Sequence, residues 1–268
     1  MADRPDDYRH LFDLAGRVAL VVGGGSGIGR EAAIGLADCG ARLVVGDIDA
    51  AGAEATVAEI RRRGREGEAV ALDIRDAAAV DRLVADMAAR MGGIDVLLSM
   101  PAINIRKRAL DYTDEELDRV VDLNIKGTFR LARAVGRVMA QQGRGSIILM
   151  SSMRAFNVEP GQTVYAATKA AIGQMAKGLA VDLARHGVRV NALAPGIVAT
   201  PLTKPITDKP EWKQAYARRA ALGRWADPSE MVGPILFLAS DASSYVTAST
   251  LYAEAGWTAI DGRFDPPV

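Results

Sequence analysis

"RVALVVGGGSGIGR", residues 17–30, decides how the rest of the chain is read. Aliphatic and β-branched residues from Val18 to Val22 stop at a cluster of glycines, and a helical pattern then runs to about Asp38. A continuously apolar run, rather than an alternating one, is what a strand buried on both faces requires. The dinucleotide fingerprint with glycines at positions one, three and six does not fit: counting from Gly23 and Gly25, the sixth position is Ile28. A Gly-x-x-x-Gly-x-Gly frame does fit, at Gly23, Gly27 and Gly29. In it Gly23 permits a sharp turn, Gly27 lets backbone approach a pyrophosphate, and Gly29 lets helix pack tightly on strand. Free N–H groups and the dipole at the helix start favour phosphate, which places Gly25, Ser26 and Ile28 in the same cradle. A glycine-rich loop alone is equally a flexible turn. Its place between the first strand and the first helix points to a nucleotide.

The same alternation repeats outward from this stretch. "RLVVGD" (42–47), "AVALDI" (69–74), "IDVLLSM" (94–100), "GSIILMSS" (145–152) and "VRVNALA" (188–194) are apolar runs, each followed by helical sequence, and "TLYAEA" (250–255) closes the series. Six or seven β-then-α units predict an α/β, Rossmann-type doubly wound parallel sheet of about seven strands with helices on both faces. No linker divides the chain, so residues 1–268 read as a single domain, with an N-terminal extension over 1–13 and a C-terminal tail over 258–268. A proline-rich excursion at about 195–228 is expected over the carboxyl ends of the strands, where ligands bind in such sheets.

Composition narrows the function classes. The 268 residues are 49% hydrophobic and 25% charged, with 33 basic and 33 acidic side chains, so no positive excess invites nucleic acid or an anionic membrane. The acidic, polar N-terminus is no secretory signal, and no apolar run reaches the length of a membrane span. A single cysteine, Cys39, fits a reducing compartment, and a cytoplasmic location is expected. His10 and His186 lie far apart with no cysteine or carboxylate cluster at ligand spacing, so no metal is expected.

Asp47 closes the second strand 18 residues after Gly29, where an acid would accept hydrogen bonds from an adenosine ribose, with Ile48 beside it. A carboxylate there repels a 2′-phosphate, which favours NAD over NADP. Further on, "YAATK" sets Tyr165 and Lys169 four apart, one turn along a helix. Taken alone, such a pair is usually an ordinary surface turn.

Taken together, the glycine frame, "LNIKG" around Asn124, "SS" at 151–152, "YAATK" at 165–169 and "NALAPG" at 191–196 resemble the short-chain dehydrogenase/reductase family in order and spacing. The match runs from about Leu14 to Trp257, and Ser152 lies 13 residues before Tyr165. The resemblance implies a catalytic tetrad of Asn124, Ser152, Tyr165 and Lys169. Tyr165 would be the general acid/base, Ser152 would bond the reacting oxygen, and Lys169 would tune Tyr165 and hold the nicotinamide ribose. Asn124 would interrupt its helix and position a water. Shifting a phenol from about 10 to about 7 takes roughly 4 kcal/mol, which a cation one helical turn away supplies only in a partly dry site. The resemblance also implies that Asp73 and Ile74 meet the adenine, that Pro195, Gly196, Val198 and Thr200 hold the nicotinamide amide, and that the protein is a homotetramer joined through helices at about 113–141 and 164–185.

Three places depart from the family pattern. Val22 stands where Thr is usual, Ala248 and Ala255 where glycines are usual, and Ser99-Met100-Pro101-Ala102 where Asn-Asn-Ala-Gly is usual. The last raises a second reading, a nucleotide-binding member impaired in catalysis, unless the loop has a compensated geometry in which Asn104 replaces a polar anchor. Substrate signals are closest to the gluconate and polyol dehydrogenase branch. Arg154 is expected near the substrate, with Ser152 and Tyr165, where it could pair with a carboxylate or else lie exposed. An apolar wall of Met100, Met153, Phe156 and Trp212 would instead suit a 3-oxoacyl substrate.

Overall fold

A computed structural model describes residues 7–260. Seven strands form one sheet: β1 (Val18–Val22), β2 (Arg42–Asp47), β3 (Gly67–Ala71), β4 (Val96–Ser99), β5 (Gly145–Met150), β6 (Val188–Pro195) and β7 (Thr250–Ala253). Their order across the sheet is β3-β2-β1-β4-β5-β6-β7, and every pairing is parallel. Burial of all five residues of β1 and all four of β4 is why their sequences show no alternation.

The helices are α1 (Gly27–Asp38), α2 (Ala50–Arg62), α3 (Ala77–Met91), α4 (Asp114–Val121), α5 (Thr128–Gln142), α6 (Thr163–Leu183), α7 (Lys204–Thr207), α8 (Pro210–Arg219) and α9 (Val232–Ala239). Ala19, Val21, Leu43 and Val45 face α1, α2 and α9, whereas Leu20, Val22, Val44 and Leu97 face α3, α5 and α6. The two-residue period of each strand therefore fills two separate cores. Helix starts follow local chemistry: Asp49 and Asp76 cap α2 and α3, and Thr113 with Glu116 forms a capping box on α4.

The helix expected over about 113–141 is not continuous. A π-helical turn, Asp122–Gly127, separates α4 from α5, so the helical periodicity holds while the backbone bulges at Asn124. β1 is flanked by β2 and β4, so the chain runs outward in opposite directions on its two sides. That reversal opens a crevice at the carboxyl ends of β1 and β4.

Candidate active site

A cleft of about 460 Å³ occupies this crevice. Gly23, with φ of 81°, turns the chain out of β1, and a Cβ on Gly29 would lie 2.0 Å from the Gly23 carbonyl oxygen. Only glycine allows that approach of helix to strand end. Ser26 occupies the N-cap of α1 without a side-chain bond to the helix, so the first N–H groups of α1 keep their capacity for an anion. Ser26, Gly27, Ile28 and Gly29 line the cleft with Asp47, Ile48, Asp73 and Ile74. Gly25 does not. Its N–H instead donates to Asp47 Oδ2 at 2.8 Å, and the Asp49 N–H donates to Oδ1 at 2.9 Å. Asp47 is thus pinned at the end of β2, beside a glycine cradle and helix terminus whose free N–H groups fit the phosphates of a dinucleotide.

The opposite wall comes from β5, α6 and β6. Ser151, Ser152, Tyr165, Lys169, Pro195, Gly196, Val198 and Thr200 all line the same cleft. Thr200 closes over the glycine loop, its Cβ 3.3 Å from where a Cβ on Gly27 would sit. Tyr165 and Lys169 are 9% and 3% exposed. The Lys169 ammonium donates to the Met150 carbonyl oxygen at 2.8 Å and lies 5.6 Å from the Tyr165 ring centroid. Burial pushes the phenol up to about 12, against weaker pulls downward from the Ser152 hydroxyl and the Arg154 guanidinium. Burial also lowers Lys169 to about 8. The expected fall of Tyr165 towards 7 is therefore not produced by the chain's own groups: desolvation of the phenolate outweighs the charges around it.

Asn124 sits on the π-helical turn but does not line the cleft. Its Oδ1 accepts from Ile103 N–H at 2.9 Å, and its Nδ2 donates to Ile103 O at 3.0 Å and Thr168 Oγ1 at 3.1 Å. These bonds anchor the segment after β4, whose residues Met100 to Ile103 form one wall of the cleft. Met100 N–H continues the ladder to Val22 O at 2.9 Å, and Ala102 is not among the residues with positive φ. The altered loop thus follows a path that asks for no glycine. The anchor expected at Asn104 is a correction: Asn124 holds the loop at Ile103, and Asn104 reaches only Gln162 Oε1, at 3.3 Å.

A family model described as "Enoyl-(Acyl carrier protein) reductase" matches residues 23–258. The short-chain reductase protein NovJ of Streptomyces niveus is 39% identical over 244 residues, 89% of this chain and 93% of that protein. Galactitol 2-dehydrogenase (L-tagatose-forming) of Cereibacter sphaeroides is 38% identical over 94% of this chain and 99% of its own. The crystal structure of a gluconate 5-dehydrogenase from Burkholderia cenocepacia, in complex with NADP and tartrate, superposes with a TM-score of 0.90 at 34% identity, covering 93% of this chain and 98% of that one. The chain belongs to the short-chain dehydrogenase/reductase family. It is an NAD(P)-dependent oxidoreductase acting on CH–OH groups.

Several residues of this short-chain dehydrogenase/reductase sit otherwise than the sequence suggests. Arg154 is neither exposed nor open to a substrate carboxylate: it is 6% exposed, does not line the cleft, and pairs with Glu159 at 2.7 Å. Phe156 and Trp212 are exposed and outside the cleft lining, Lys209 lying over the Trp212 ring, so of the expected apolar wall Met100 alone faces the cleft. The structure adds Arg75, Arg119 and Leu202 to the lining. Their only sequence signal is position, just after a strand, at a helix or inside the proline-rich excursion.

Proposed function

We propose that this protein interconverts a secondary alcohol and a ketone with NAD, that its substrate is a polyol or sugar acid, and that Tyr165 is the general acid/base. The observation that carries the reading is the convergence of Ser152, Tyr165 and Lys169 on the cleft that also holds the glycine cradle. Bound nicotinamide supplies hydride transfer, a property of the cofactor itself. The chain's residues handle the proton and the orientation. Tyr165, kept neutral by burial, gives its proton to a carbonyl oxygen in reduction and is left as phenolate; in the reverse direction it is the phenolate that takes the alcohol proton. Ser152 bonds the same substrate oxygen. Lys169, fixed by Met150 O, presents its remaining N–H donors to a ribose.

Asp47 supports NAD, because its carboxylate at the ribose end repels a 2′-phosphate and the neighbouring Ile48 brings no cation. Of the two arginines in the lining, Arg75 is already paired with Asp73 at 2.6 Å. The NADP in the Burkholderia relative marks the alternative. Galactitol and gluconate in the relatives' names support the substrate class. A cytoplasmic homotetramer is part of the same reading.

The test is a panel of polyols, sugar acids and 3-oxoacyl thioesters with each cofactor, followed by nicotinamide absorbance. The reading expects turnover of a polyol or sugar acid and a kcat/KM for NAD at least tenfold above that for NADP. Preference for a 3-oxoacyl thioester would move the protein to the ketoreductase branch. Tight NAD binding with no turnover would mark an impaired member.

A further inference from the structure

Few groups hold α8 to the body of the protein. None of its residues is buried, and only Tyr216 and Ala217 are half-buried. The helix stands at the outer end of the excursion whose first residues, 200–203, form a wall of the cleft. Backbone closes the excursion at its base: Ala226 N–H donates to Ile197 O, and Ala199 N–H to Ala226 O, both at 2.9 Å. At its far end the hold is Tyr216, helped by Arg219 lying 5.6 Å from the Trp257 ring centroid. The Tyr216 ring stands 5.8 Å from that of Trp225 and 5.9 Å from that of Trp257, in a small apolar cluster with Met153 and Ile197.

The hydroxyl makes bonds that the ring cannot. It donates to Glu159 Oε1 at 2.6 Å and accepts from Arg106 at 2.8 Å. Arg106 also pairs with Glu159, whose Oε2 accepts from Arg154 at 2.7 Å. A carboxylate acceptor and a guanidinium donor make both bonds of the phenol charge-assisted, and a hydroxyl fills both roles at once. Glu159 stands on the connection between β5 and α6, between Ser152 and Tyr165 of the cleft, and Arg106 follows the cleft-lining residues 100–103. One oxygen thus joins three of the segments that wall the cleft.

We propose that Tyr216 is a positioning residue: its hydroxyl fixes α8, and with it the wall at 200–203, against the other two segments, and so sets the shape of the substrate site. Tyr216 does not line the cleft, and it acts only through the residues it holds. The glycine cradle between β1 and α1 takes no part in these bonds, so the hydroxyl bears on the substrate more than on the dinucleotide. The proposal rests on the reading of this cleft as the place where an alcohol is oxidised.

The experiment compares the full chain with Tyr216→Phe, which keeps the ring and removes both bonds. Backbone hydrogen exchange is expected to quicken by about tenfold or more over 200–219 and to stay as in the parent over β1, β4 and β5. With NAD and the best alcohol of the panel, KM for the alcohol should rise by about fivefold or more, while kcat and NAD affinity stay within about threefold. Glu159→Gln should move the same readouts in the same direction, and adding Tyr216→Phe to it should do less than Tyr216→Phe does alone. Exchange over 200–219 that matches the parent overturns the proposal. So does faster exchange with an unchanged KM, which would make the hydroxyl a structural bond only. Exchange is read without substrate, so it separates the two claims: a parent that turns over no alcohol sinks the proposed activity, and exchange then decides the hold on α8 by itself.

Discussion

Lys169 shows how the site trades stability for chemistry. Its ammonium is fully enclosed, and burial lowers it from 10.5 to about 8. Below pH 8 folded and unfolded chains both hold the proton, and the folded state carries the whole desolvation cost. Between about 8 and 10.5 the unfolded chain binds more protons, so this group makes stability rise with pH. Replacing Lys169 by Met should therefore raise the melting temperature at pH 7, by the equivalent of about 1–3 kcal/mol, and the gap should close as pH approaches 10. Calorimetry across pH checks both the sign and the closing. Tyr165 has the opposite sign: its folded value of about 12 lies above the ordinary phenol value of 10, so its contribution is intact below 10 and lost as pH rises through 12. A phenol that titrates at about 12 stays protonated from pH 7 to pH 10, so carbonyl reduction should change little over that interval, while alcohol oxidation, which needs the phenolate, rises. Initial rates in the two directions test this, and an oxidation rate that falls with pH would contradict it.

Secondary structure elements explain what the altered motifs do. In the β1–β4 register Val22 pairs with Ser99, and Ser99 Oγ is buried without a hydrogen-bond partner among the described residues. The two side chains share a face, so Val22→Thr sets a hydroxyl beside the orphan. The melting temperature should rise by the equivalent of about 1 kcal/mol, whereas a loss of 1–3 kcal/mol would mean the new hydroxyl is itself unpaired. Ala248 and Ala255 keep φ of 58° and 57°, the left-handed backbone that glycine adopts without strain. Much of this level was legible from sequence. Continuous apolar runs mark strands buried on both faces, and the Gly23–Gly27–Gly29 frame marks the turn into α1. The π-helical turn shows only as the interruption that the family resemblance implies at Asn124, because one added residue hardly disturbs a 3.6-residue period. The Glu159 cluster was not legible: its members Arg106 and Tyr216 stand 110 positions apart and meet only because α8 folds back.

For the whole molecule, the described residues leave Phe129 of α5 and Val181 of α6 exposed, with Ala167, Ala170 and Gly178 along the outer face of α6. A homotetramer built on these two helices would cover them, since small residues let helices approach closely. Val181→Asp should then lower the mass measured by light scattering towards a dimer, and a parent protein that runs as a monomer would contradict the assembly. The C-terminal tail expected over 258–268 lies outside the described residues from 261 onward. No helix among the described residues is long and apolar enough to cross a membrane. The central claim concerns one phenolic oxygen in the cleft. The most direct measurement is kcat for the best alcohol of the panel with Tyr165→Phe, alongside NAD affinity by fluorescence. A fall of about 100-fold or more with NAD affinity kept within a few fold is the predicted result; turnover within a few fold of the parent would show that the proton moves through another group.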